Sequence, residues 1–98
     1  MRKVEPPVRL RTGIDQDAPY PEDARERRIE ADCRIRLVID ERGRVGEIAS
    51  IECDETGLGF EESIREHIER EFRFHPAIED GQPTEQRILW THQFRLRD

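Results

Sequence analysis

Apolar positions alternate with polar ones in some stretches of the chain and recur every four residues in others, and the change of period divides it into elements. From Asp32 to Ile39, Cys33, Ile35, Leu37 and Ile39 fall on one side and Asp32, Arg34 and Arg36 on the other, as a half-buried strand requires. Val38 is the one apolar exception. Asp40-Glu41-Arg42-Gly43-Arg44 carries turn chemistry, with Gly43 able to take a positive φ, and Val45 to Cys53 returns as the second arm of a β-hairpin. In that arm Val45, Ile48 and Ile51 stand three apart, which predicts a bulge near Gly46-Glu47. Phe60, Ile64, Ile68 and Phe72 then recur at the period of an amphipathic helix, with charged residues between them that read as a solvated face. Pro76 stops this helix, and Asp80-Gly81-Gln82-Pro83 makes a turn.

The last segment, Thr84 to Arg97, predicts a long strand. Ile88, Trp90, Phe94 and Leu96 point one way, with His92 among them, and Arg87, Thr91, Gln93, Arg95 and Arg97 point the other. Upstream, Pro21 sits where proline suits the first turn of a helix, followed by Glu22 and Asp23 and then by Arg25, Arg27 and Arg28, so a short helix is expected from Pro21 to about Arg28. Residues 1–18 form a lead-in in which Val8 and Leu10 alternate with Arg9 and Arg11, either a short edge strand or a loose segment, and residues 19–98 form the domain.

A helix joining the second hairpin strand to the last strand makes a right-handed crossover between parallel strands, and the first hairpin strand fits between them, antiparallel to both. The expected fold is α+β: a small antiparallel three-stranded sheet with two helices packed on one face, the last strand at an edge, and a short N-terminal strand in addition. Its core is expected to bring Phe60, Ile64, Ile68 and Phe72 against Ile35, Leu37, Trp90 and Phe94.

Composition agrees with one thin-cored domain. Val, Ile, Leu and Phe make up 23 of 98 residues and charged residues 41%, and no apolar run is long enough for a membrane-spanning helix. No apolar stretch of an export signal follows Met1. Seventeen basic against 23 acidic residues give a net charge of −6, concentrated after residue 50, which disfavours nucleic acid and anionic lipid as partners. The polar face of the last strand also lacks the aromatic rings on which an RNA binder would stack bases.

Two cysteines cannot make a four-ligand zinc site, and the three histidines have no ligand spacing beside them. Cys33 and Cys53 fall on facing hairpin strands, either as half-buried thiols or, in an oxidising compartment, as a cross-strand disulfide. Ser50 and Ser63 have no histidine at a telling spacing, so no catalytic set is present in the pattern.

Two ordered series of residues carry a resemblance. Tyr20-Pro21 opens the short helix, Ala24 lies within it, Ile29-Glu30 leads into the alternating strand, and Asp40-x-x-Gly43-x-Val45 closes that strand. After the second helix come Phe74-x-Pro76-Ala77 and Asp80-Gly81-x-Pro83. In this order and spacing they resemble the C-terminal domain of TonB-type energy transducers, from about Pro19 to Leu96. Ala31 departs from the family's usual glycine, the loop at 54–59 is longer than usual, and the chain carries neither the membrane anchor nor the proline-rich spacer of a full transducer.

The resemblance implies an interaction module without catalysis or cofactor. It would bind an extended segment of an outer-membrane transporter, the TonB box, by strand addition at the edge of the last strand. The compartment implied is the periplasm, with the cytoplasm as the alternative for a chain without an anchor. Partner contact would fall on Arg87, Thr91, Gln93, Arg95 and Arg97, whose three arginines favour acidic groups, with Tyr20 and Pro21 at the flank. Two other readings stand beside this one. The edge is covered by the lead-in or by a second copy of the chain, giving a homodimer, and Tyr20-Pro21 only starts a helix and packs a ring on the sheet.

Overall fold

A computed structural model describes residues 3–9 and 18–96 of the chain. Its centre is the expected hairpin, strands β3 (Ala31–Ile39) and β4 (Val45–Cys53), with the last strand β8 (Gln86–Phe94) on the other side of β3, in the order β4-β3-β8 and antiparallel throughout. Helix α1 (Glu22–Glu26) precedes the hairpin, and helix α2 (Phe60–Glu71) comes after it.

Two bulges explain the three-residue spacing in β4. Pairing runs Ser50 with Arg36, then Ile48 with Leu37, so Ala49 is extra; Glu47 pairs with Val38 and Val45 with Ile39, so Gly46 is extra. Each bulge turns a step of three into a step of two. Val45, Ile48, Ile51 and Cys53 thereby stand opposite Ile39, Leu37, Ile35 and Cys33, on the side of β3 that faces the core.

That core is the expected one. Phe60, Ile64, Ile68 and Phe72 are fully buried, and they cluster with Ala24, Cys33, Ile35, Leu37, Ile39 and Phe94, with Trp90 packed against them and its ring 4.7 Å from that of Phe72. Cys33 and Cys53 are joined in a disulfide, their Cα atoms 4.1 Å apart.

The strands do not form one sheet, and the expectation of a single three-stranded sheet carrying both helices is corrected here. They are divided among three small sheets. After α2 the chain makes two short strands, β5 (Phe74–His75) and β6 (Ala77–Glu79), and turns back as β7 (Gln82–Thr84). The lead-in pairs along this segment: β1 (Val4–Glu5) with β6, and β2 (Val8–Arg9) with β5. Leu10 lies outside the described residues. The turn expected at Asp80-Gly81 is the two-residue loop of a hairpin, since both residues have positive φ, 51° and 83°, as a type I′ turn demands. Asp80 also accepts a hydrogen bond from the Lys3 backbone on its side chain and donates its own backbone N–H to the Lys3 carbonyl, which holds the lead-in in place.

The tip of the central hairpin docks on this second unit. Asp40 Oδ1 accepts from the backbone N–H groups of Arg42 and Arg44, each at 2.9 Å. These bonds, Arg44's foremost, hold its carboxyl below the ordinary carboxylate pKa. Gly43 is buried at φ +81°, its carbonyl accepting from the Phe74 N–H at 2.8 Å, and a Cβ there would lie 1.9 Å from the Phe74 carbonyl oxygen. Only glycine fits both the turn and the approach.

Candidate partner-binding edge

The main-chain groups that β8 turns outward are dictated by the two ladders of β3. Asp32 accepts from the Asp54 N–H through its carbonyl at 3.1 Å and donates its own N–H to Asp54 Oδ1, so the backbone of Asp32 faces β4. Alternation then directs the backbone of Ala31, Cys33, Ile35, Leu37 and Ile39 toward β8. Their partners in β8 are Phe94, His92, Trp90, Ile88 and Gln86. The intervening residues Arg87, Leu89, Thr91 and Gln93 turn their N–H and C=O groups to the other side, where no strand pairs with β8 among the described residues.

This edge is regular. Pairing of β8 with β3 runs through nine residues without a register shift, and the strand contains no proline. The described part of the lead-in lies along β5 and β6, so it does not cover β8.

The expected contact residues divide into two groups. Arg87, Thr91 and Gln93 are exposed on the outer face, and their backbones form the open row. Arg95 lies beyond the strand and is engaged within the domain: its guanidinium pairs with Asp32 Oδ1 at 2.5 Å and donates to the carbonyls of Phe94 and Ala31. The Leu96 N–H, donated to Glu30 Oε2 at 2.9 Å, closes the same end. Arg97 lies outside the described residues.

Tyr20 and Pro21 have structural duties. The Tyr20 ring meets Phe60 and Phe94 edge-on at 5.9 and 5.6 Å, and its hydroxyl donates to the Ile29 carbonyl at 2.5 Å. Burial, and next the Glu30 carboxylate, push the phenol above its ordinary pKa. Pro21 sits against Gly59 at the start of α2. Tyr20 touches Phe94, so it stands at the C-terminal end of β8, on the inner side of the sheet.

One residue of the edge escaped sequence reasoning. Leu89 faces outward between Arg87 and Thr91 and is 52% exposed. The signal was the apolar run Ile88-Leu89-Trp90: in a strand with one buried face, the middle of three consecutive apolar residues must point to solvent.

Fold and site together define a small α+β domain with a regular sheet edge that is unpaired among the described residues. The chain matches the family model described as Gram-negative bacterial TonB protein C-terminal over residues 16–96, and it belongs to that family. No curated protein matches it. The family is one of protein-interaction domains, not of enzymes; it is periplasmic in Gram-negative bacteria and associated with TonB-type energy transduction, transport and outer-membrane transporters. No helix among the described residues is long and apolar enough to cross a membrane.

Proposed function

We propose that this chain binds an extended segment of an outer-membrane transporter, a TonB-box-like peptide, as an added strand along the free edge of β8. The observation that carries the reading is the uninterrupted row of outward N–H and C=O groups at Arg87, Leu89, Thr91 and Gln93. A strand laid beside them gains main-chain hydrogen bonds at the ladder spacing, which is how strand addition obtains its affinity. The periplasm is the compartment we assign, and the bonded Cys33–Cys53 pair supports it, because such bonds persist where the surroundings oxidise.

Proline substitution tests the mechanism at the phase the ladder dictates. Thr91→Pro removes an outward N–H and leaves the bonds to β3 in place, as edge prolines do in natural sheets. A folded Thr91→Pro or Gln93→Pro domain is expected to lose a transporter-derived extended peptide in calorimetry, while the helix-surface control Glu66→Ala keeps it. Unaltered binding in both proline variants overturns the edge mechanism. A wild-type domain that takes no such peptide but elutes as a dimer, converted to monomer by Thr91→Pro, establishes self-association through the same edge instead.

A further inference from the structure

The outer face of the sheet carries a chemical pattern beside the free edge that main-chain pairing does not use. Val38, the apolar exception of β3, is buried although its neighbours Leu37 and Ile39 point into the core, so its side chain lies under cover on the outer face. Beside it is a hollow of about 220 Å3 lined by Arg36, Val38, Ala49, Arg87 and Leu89. Ala49 belongs there because it is an extra residue of the bulged strand β4. Register places Arg87 across from Val38 and Leu89 across from Arg36, so an apolar ridge alternates with two guanidinium groups. Among the described residues neither Arg36 nor Arg87 has a carboxylate within ion-pair distance, whereas Arg34 is paired with Glu52 and Arg95 with Asp32. In a chain of net charge −6, these two arginines flanking an exposed leucine at the open edge form a local reversal of sign.

Directly opposite residues on neighbouring strands share a face and lie close enough to interact. A strand added to β8 therefore sets one side chain beside Leu89 and another, two positions away, beside Arg87. We propose that this face selects its ligand by side chain: an extended peptide with an apolar residue against Leu89 and a carboxylate two positions away against Arg87. The inference rests on the proposed strand addition at β8 and adds what the partner must carry. Its recognition is local, a pair of positions rather than a general affinity for acidic chains.

Synthetic extended peptides of about eight residues, long enough to cover the edge, provide the test. One set holds Glu and Leu two positions apart in either order, so that both strand directions are represented; matched peptides replace Glu by Lys or Leu by Ser. The Glu–Leu peptide is expected to bind the wild-type domain on the order of tenfold more tightly than its Lys counterpart at low salt, with the gap narrowing at high salt. Arg87→Glu is expected to reverse that order, and Leu89→Ser to weaken the Leu peptide without weakening the Ser peptide. Equal affinities for the Glu and Lys peptides, both abolished by Thr91→Pro, overturn the side-chain selection and leave the edge mechanism standing. Binding of no peptide at all, whether or not the domain dimerises, overturns both.

Discussion

The sheet has two edges, and they are built differently. The β4 edge is broken by bulges at Gly46 and Ala49, presents Glu47 and Glu52, and is fastened to β3 covalently through Cys33–Cys53. The β8 edge runs nine residues in register, carries Arg87, Leu89, Thr91 and Gln93 outward, and is fastened at its end by the exposed ion pair of Arg95 with Asp32. Bulges and irregular twist keep a strand from being used as a template, so the first edge is closed to addition by its geometry and the second is left open. One device solves two problems in β4. The bulges bring four apolar residues onto the core face from a pattern with the wrong period, and they spoil the outer edge for pairing.

The most damaging substitution should be one that removes the support both edges share. Ile68 on α2 is fully buried, and Ile68→Ala is expected to cost about 2–5 kcal/mol as a buried truncation. For a domain of ordinary marginal stability this is a large fraction of the total. Chemical denaturation measures it, and an unchanged midpoint would contradict the assigned helix face. Next comes reduction of the disulfide, which acts on the closed edge alone. With the cysteines 20 positions apart in sequence, chain entropy predicts a loss of about 3 kcal/mol. A reduced domain that stays folded should still take peptide on β8, because the open edge does not depend on that crosslink. Peptide binding lost on reduction while circular dichroism stays native would join the two edges more closely than their construction suggests.

Much of this contrast is legible in the residue pattern. The alternation of β3, the four-residue period of α2 and crossover handedness place β3 in the middle and the last strand at an edge. The bulge expected near Gly46 is present; the second, at Ala49, is implied by the other step of three, since each such step needs its own extra residue. The division into three sheets is not legible. Strands of two or three residues, such as β5 and β6, are too short to show a period, and their pairing with the lead-in spans some seventy residues of sequence. Arg95 is assigned to the partner by its face alone, and no local pattern shows that Asp32, distant in sequence, engages it.

Arg95 also offers the finest discrimination between the two edges, at little cost in stability. If it is a latch on the open edge, its work is done inside the domain. The pair with Asp32 is half exposed on both sides, so its contribution is that of a surface ion pair, about 0.2–1 kcal/mol. Two further bonds, to the part-buried Phe94 and Ala31 carbonyls, go with the guanidinium, but Phe94 and Ala31 stay paired with each other in the ladder without it. Arg95→Ala is therefore expected to lower stability by no more than about 1 kcal/mol, and to speed amide exchange at the C-terminal end of β8 rather than along the whole strand. Asp32→Asn should reproduce that fraying, since it removes the same pair from the other side, and combining the two should add little. Peptide affinity should change far less than in Arg87→Glu, because the Arg95 guanidinium is already engaged by Asp32 whereas Arg87 has no ion pair among the described residues. A loss of peptide binding in Arg95→Ala that Asp32→Asn does not share would make Arg95 a direct partner contact and move the recognition surface toward the end of the strand.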